Sequence, residues 1–339
     1  IRDRLVTGGT GLVGSHLLFE LTKSDQNIRA LYRRSDTIEK VKKIFSYYTN
    51  KPENQFKKIQ WFQANLNDVP RLNEAFKGIT HVYHSAALIS FAPDDYAKLK
   101  KTNTEGTANI VNLCISHSIK KLCYVSSVAT MGFDPVKICE KTTWKSEEIK
   151  NVYAISKYDA EMEVWRGIQE GVSSIIVNPG VILGPGFFNS GSGLLFKIIN
   201  KGLNYKTEGI TGYVDVNDVV KSMQLLMNGK HTNERYILVG ETLSFAEFTS
   251  RISNALGVKA PKIIAKKWML SIAWRLDWLN NKVLGKKRKL TKNMCKTLNS
   301  KNFYCSNKFL NCEKQFNFRP ISKTISEVSQ IFLEDLKSC

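Results

Sequence analysis

Residues Thr7–Gly14 read TGGTGLVG. They stand between an apolar strand ending, Leu5 and Val6, and a stretch whose apolar residues Leu12, Val13, Leu17, Leu18 and Leu21 recur at helical spacing. Strand, glycine turn and helix in this order constrain the fold more than any other feature of the chain. They open a βαβ unit in which the first N–H groups of the helix are free to hold a pyrophosphate. The glycines admit two readings. Gly9, Gly11 and Gly14 spell G-x-G-x-x-G, whereas Thr7, Gly8, Gly11 and Gly14 spell T-G-x-x-G-x-x-G. The turn by itself does not choose between them.

The same rhythm continues along the chain. Strands are predicted at Arg4–Thr7, Ile28–Tyr32, Ile59–Gln63, His81–Ser85, Lys121–Ser126 and Ser174–Asn178. Helical patterns fall near Gly11–Thr22, Pro70–Phe76, Tyr96–Ser116 and Tyr153–Glu170. This alternation predicts an α/β fold, a Rossmann-type doubly wound parallel sheet with a smaller C-terminal substrate-binding domain. The glycine- and proline-rich NPGVILGPG at Asn178–Gly186 marks the change of character. Residues 1–178 are therefore expected to form the dinucleotide-binding domain, with return segments near 212–240 at Gly212–Val216 and Arg235–Val239. Residues 179–339 are expected to be mainly the substrate-binding region, including a basic helical segment at 259–314.

A chain of 339 residues can hold one large domain or two smaller ones. No apolar run approaches the length of a membrane span and the first residues lead directly into a strand, so neither a span nor a secretory signal is expected. Ile1 in place of Met reads as a trimmed start. The seven cysteines form no C-x-x-C pair, and no histidine accompanies Cys295, Cys305 and Cys312. Reduced thiols in a cytoplasmic protein are expected, with no metal site. The net charge of +20 is uneven, because the fifteen Lys and Arg between Lys259 and Lys314 face only Asp277 and Glu313. A charge so confined argues for a local basic face and against a nucleic-acid partner.

Further on, Tyr153 and Lys157 form Y-x-x-x-K, a spacing that places phenol and ammonium on one side of a helix. A tyrosine titrating near pH 10 is a poor acid or base at neutrality, and a cation beside it favours the phenolate. Upstream, at a strand end, YVSSVATMG (Tyr124–Gly132) offers two hydroxyls, Ser126 and Ser127, for a substrate carbonyl.

Taken together these motifs resemble the extended short-chain dehydrogenase/reductases of the epimerase/dehydratase superfamily. The resemblance rests on T-G-x-x-G-x-x-G at Thr7–Gly14, VYHSAA at Val82–Ala87, N-x-x-G-T at Asn103–Thr107, the serine pair, Y-x-x-x-K and the NPG turn, and covers roughly Leu5 to Val239. It selects the second glycine reading, with Gly9 incidental. In wording, IRALYRR and NPGVILGPG look most like the branch with dihydroflavonol reductases and 3β-hydroxysteroid dehydrogenases.

The resemblance implies that Ser127, rather than Ser126, orients the substrate oxygen. It implies that Tyr153 transfers the proton, and that Lys157 lowers the Tyr153 pKa and binds the nicotinamide ribose. Asn103 matches a family position behind the site, where a helix-packing hydrogen bond is the equal alternative. Cofactor contacts are implied for Thr7, Gly8, Gly11, Leu12, Val13, Gly14, Asn65, Leu66, Ser85, Ala86, Ala87, Lys157, Pro179, Gly180 and Val181. His84 and His16 read as structural.

Cofactor choice is read at the second strand end. NAD-binding members carry an acid there for the ribose hydroxyls, but Tyr32 occupies the position and Arg33 and Arg34 follow. Arg33, with Arg34, is placed to bind a 2′-phosphate, so NADP(H) is preferred and NAD(H) is the alternative. Asp36 would replace the acid only if the strand ran longer.

An oxidoreductase acting on a carbonyl/alcohol pair is thus expected, the alternatives being a sugar-nucleotide epimerase or dehydratase and a nucleotide-binding protein without catalysis. Substrate walls are expected from Phe91, Met131, Phe133, Trp144, Phe187, Phe188 and Leu194, which suits an apolar or aromatic small molecule. The protein is expected to be a monomer or homodimer. In the basic segment, Trp268, Ile272, Leu276, Leu279 and Val283 recur every three or four residues. Such a stripe packs on a neighbouring element or, with the cations around it and the KKRK at Lys286–Lys289, gives weak peripheral contact with the inner face of a membrane.

Overall fold

The computed structural model describes residues 3–24, 26–145, 150–284 and 290–338. In chain order the strands are β1 (Asp3–Thr7), β2 (Asn27–Tyr32), β3 (Ile59–Gln63), β4 (His81–His84), β5 (Lys121–Val125), β6 (Ser174–Pro179), β7 (Val181–Leu183), β8 (Tyr205–Lys206), β9 (Ile210–Asp215), β10 (Glu234–Leu238), β11 (Glu241–Ser244) and β12 (Ile263–Ile264). Seven of them build one sheet in the order β10-β6-β5-β4-β1-β2-β3, every neighbouring pair parallel.

Parallel strands need covering on both faces. The helices Leu12–Leu21 and Val216–Asn228 bring Leu17, Leu18, Val219 and Met223 onto one face. Val69–Phe76, Gly106–Ser116 and Val152–Gln169 bring Leu72, Ile110, Val111 and Val164 onto the other. Each such aliphatic side chain contributes about 1.5–3 kcal/mol by leaving water. Strand β5 is buried along its whole length, and Lys121 at its start donates to the carbonyls of Leu226 and Gly229 at 2.7 and 2.9 Å.

Strand β1 lies between β2 and β4, so the connections leave it in opposite directions and a crevice opens at its C-terminal end. The glycine turn and the residues after β4 meet there. The two return segments behave differently. Arg235–Val239 supplies β10, the seventh strand of the central sheet, beside β6. Gly212–Val216 does not join that sheet: β9 pairs with β7 and β11 in a three-stranded sheet of its own, and only the helix after it returns to the central sheet.

The stretch Tyr96–Ser116 is helical throughout but not uniform. A π-helical segment, Lys100–Glu105, separates Tyr96–Leu99 from Gly106–Ser116. Beyond β6 a smaller lobe gathers around Leu183, Phe196, Phe248, Ile252, Ile325 and Phe332. Among the described residues no helix is long and apolar enough to cross a membrane.

Candidate active site

At the mouth of the crevice Gly8 has φ +68°, the left-handed region, and its carbonyl accepts from Gly11 N at 2.9 Å. A Cβ on Gly14 would stand 2.1 Å from that carbonyl oxygen, whereas one on Gly9 would meet Leu18 Cδ1, Ala30 Cβ and Leu31 O at 3.1, 3.3 and 3.6 Å. The backbone thus demands Gly8 and Gly14. The helix that follows begins at Leu12 and Val13 with no side-chain cap and no acid in its first turn, which leaves its N–H groups open to an anion. This cradle fits a dinucleotide pyrophosphate. Ser85 Oγ donates to Thr7 O at 2.7 Å, and Ala86 N to Thr7 Oγ1 at 3.3 Å, so the residues entering Ala87 are tied to the turn.

Strand β2 stops at Tyr32. Asp36 lies beyond, in a short turn, and grips Arg34 through two bonds of 3.0 and 2.5 Å; that bond draws its carboxyl below the ordinary carboxylate range. Asp36 is therefore no substitute acid at the strand end, and Arg34 is held by it. Arg33 is exposed at the rim. Asn65 Oδ1 accepts from Asn67 N at 3.2 Å in a local turn and keeps one lone pair for another donor. Leu66 is buried against Gly106. Pro179 ends β6, Gly180 N donates to Leu238 O at 3.0 Å, and Val181 begins β7.

Ser127 follows β5, and its Oγ accepts from Ala129 N at 3.1 Å. Tyr153 lies in the first turn of Val152–Gln169, where Asn151 caps the helix by accepting from Ala154 N at 2.8 Å. Burial pushes Tyr153 up to about 12, and the neighbouring Ser127 hydroxyl pulls it back. Ser126 points elsewhere, donating to Glu161 Oε2 at 2.5 Å.

Lys157 departs from the expected arrangement. Its Nζ donates to Tyr124 Oη at 2.6 Å and Val125 O at 2.8 Å, and burial lowers it to about 7. The group that tempers Tyr153 is Ser127. Tyr124 is buried inside β5, and in the sequence only its place two residues before the serine pair marks it.

Behind these groups runs a buried hydrogen-bonded chain. Thr7 Oγ1 meets His84 Nδ1 at 2.6 Å and His84 Nε2 meets Thr107 Oγ1 at 3.0 Å; burial raises the adjoining Tyr124 well above its ordinary value, and the Thr107 hydroxyl opposes that rise. Burial lowers His84 to about 3, so it is neutral and structural. His16, buried against Tyr48 with Nδ1 on Leu12 O at 2.8 Å, is lowered to about 4 by the same cause. Unfolding raises both toward the ordinary value of 6.5, so the unfolded chain binds more protons below that pH. Stability should be fully present above pH 6.5 and fall toward pH 4, by up to about 1.4 kcal/mol per pH unit for each histidine. Urea titrations across that range check this, and His84→Gln should make the fall shallower; an unchanged slope would contradict it.

Asn103 lies in the π segment. Its Nδ2 donates to Leu88 O and Ser156 Oγ at 3.0 and 2.9 Å, and its Oδ1 accepts from Leu88 N at 2.7 Å. The side chain clamps the loop after β4 onto the tyrosine helix. These contacts hold the loop and the helix together, the packing role that its place behind the site allows. Glu161, fully buried, accepts from Ser126, Thr130 and Asn178 on one oxygen and from Arg235 and Trp165 on the other.

The expected substrate walls divide. Phe91 meets the Tyr153 ring at 5.6 Å and lines a pocket of about 310 Å³ with Pro93, Val152, Trp274 and Trp278. Trp144 instead meets Tyr158 at 4.3 Å in a separate cleft on the other side of the helix. Phe188 packs on Phe332 in the smaller lobe and Met131 is buried, both ordinary core.

A Rossmann crevice with a bare helix N-terminus beside a Ser, Tyr and Lys set defines an enzyme of the short-chain dehydrogenase/reductase type. The chain belongs to the NAD dependent epimerase/dehydratase family, whose model matches residues 4–240. It is 31% identical over 280 residues to a Synechocystis protein named "Putative dihydroflavonol 4-reductase", covering 79% of this chain and 77% of that one. It is 24% identical to cinnamoyl-CoA reductase 1 of Petunia hybrida over 261 residues, 74% of this chain and 76% of that one. Its fold is similar to the crystal structure of gox2253, with TM-score 0.81, 25% identity and 99% of each chain covered.

Proposed function

We propose that the protein is an NADP(H)-dependent oxidoreductase that interconverts a ketone or aldehyde and an alcohol on an apolar or aromatic small molecule. The observation that carries this reading is the neighbouring Ser127 and Tyr153 hydroxyls beside a pocket walled by Phe91, Trp274 and Trp278. Relatives named as reductases support it. Residues 1–178, with β10, form the dinucleotide-binding domain, and residues from 179 on supply most substrate walls and, at Pro179–Val181, further cofactor contacts. The reading is of a cytoplasmic monomer or homodimer.

Thr7, Gly8, Gly11–Gly14 and Ser85–Ala87 hold the dinucleotide, Asn65 and Leu66 its adenine, and Pro179–Val181 the nicotinamide end. When bound, the reduced nicotinamide supplies a hydride to the carbonyl carbon. Ser127 donates a hydrogen bond to the carbonyl oxygen and Tyr153 delivers the proton that makes it an alcohol. Lys157, anchored by Tyr124 Oη and Val125 O, holds ribose hydroxyls.

Arg33, exposed past the end of β2, reads the 2′-phosphate. NADPH should bind at least tenfold tighter than NADH, the ~1.4 kcal/mol that a charge-assisted phosphate contact supplies, and Arg33→Asp should reverse the order. Titration calorimetry with both nucleotides checks this, and equal affinities would refute it. The second reading, a sugar-nucleotide epimerase or dehydratase, rests on the matching family model. It requires NAD retained through purification, whereas the reductase should be isolated without nucleotide and oxidise NADPH with a panel of ketones and aldehydes.

A further inference from the structure

The helix Lys267–Leu284 has two faces. Trp268, Ile272, Leu276, Leu279 and Val283 fall within about 80° of arc at 3.6 residues per turn. Among the described residues they join no buried cluster: their exposures are 62, 49, 55, 48 and 68%. Of the two expectations for this stripe, the structure excludes burial. Trp274 and Trp278 lie off the stripe and line the pocket next to Phe91 and the start of the tyrosine helix.

Charge identifies what the outward face meets. Arg275 and Lys282 are exposed along one margin of the stripe, while Asp277, the single acid of the helix sequence, lies on the far side and accepts from Leu290 N at 3.1 Å. A second copy packed antiparallel on the stripe would bring the same cations against one another. A layer that is apolar below and anionic above satisfies the stripe and its margin together. We infer that this helix docks in the plane of an anionic phospholipid surface, its stripe below the headgroups and Arg275 and Lys282 among them. The pocket walled from behind by the same helix then opens near the phase in which apolar substrates dissolve. Lys286, Lys287, Arg288 and Lys289 follow in the sequence, lie outside the described residues and are not needed for the inference.

The test is cosedimentation of the full chain with vesicles of phosphatidylcholine alone or mixed with phosphatidylserine, independent of any turnover. The wild type should pellet with mixed vesicles at low salt, much less with phosphatidylcholine alone, and less as salt screens the cations. The variant Ile272→Gln/Leu276→Gln/Leu279→Gln changes only exposed positions, so its circular dichroism should match the wild type. Its vesicle-bound fraction should fall about tenfold or more. Absence of pelleting with mixed vesicles, or equal pelleting of the variant, overturns the inference. So does sedimentation without lipid in which the wild type is a dimer and the variant a monomer, because the stripe is then covered by a second copy.

Discussion

Tyr153→Phe is expected to lower turnover by roughly two orders of magnitude or more, the scale of losing a positioned general acid, with NADPH affinity nearly unchanged. The substitution removes one oxygen and keeps the ring against Phe91, so the pocket wall persists. Tyr153 donates rather than abstracts in the reducing direction, and its displacement to about 12 by burial keeps it protonated at neutral pH. Ser127→Ala should cost less turnover and displace Tyr153 further upward, because the hydroxyl that draws it down is lost. The measurement is single-turnover NADPH oxidation with the carbonyl compound the wild type reduces fastest. Near-normal turnover in the phenylalanine variant would remove Tyr153 from the mechanism.

Gly14→Ala should abolish useful nucleotide binding. The added carbon would stand 2.1 Å from a backbone oxygen, and neither the turn nor the helix can move without displacing the other. A stability loss on the order of 3 kcal/mol is expected from such overpacking. A nucleotide affinity at least about a hundredfold weaker is expected from a deformed cradle. Gly9→Ala is the informative partner, since its tightest neighbour is the movable end of Leu18 and its other contacts, Ala30 Cβ and Leu31 O, stand at 3.3 and 3.6 Å. It should bind nucleotide within about threefold of the wild type. The pair asks by experiment which of the two glycine readings governs the turn. Comparable losses in both variants would show that Gly9 is also required.

The central sheet was legible because a parallel strand buried on both faces reads as an apolar run, and six such runs alternate with helical patterns in one order. The destination of Gly212–Val216 was not legible, because hydropathy marks a strand without saying which sheet it joins. Tyr153, Ser127 and the glycine cradle could be placed from motif spacing, which fixes positions along one helix or one turn. The true partner of Lys157 could not, since Tyr124 comes from a neighbouring strand through the register of β5 against the helix. Asn103 was visible as a residue, but its clamp on Leu88 and Ser156 joins segments far apart in sequence. The stripe from Trp268 to Val283 shows a limit of periodicity, which states that a helix is two-sided and leaves open which side meets water.

The position of β10 in the central sheet bears on how the chain is made. Strand β6 emerges from the ribosome well before its outer neighbour, which follows roughly sixty residues later, several seconds at ordinary rates of synthesis. In that interval the ladder groups of Ser174–Pro179 face outward and Glu161 lacks the Arg235 guanidinium that neutralises it. The nascent N-terminal half therefore carries an open edge and an unbalanced carboxylate, and both are closed by one late strand. A nascent chain arrested before Leu238 should be a substrate for chaperones and proteases, while one arrested after it should resist them.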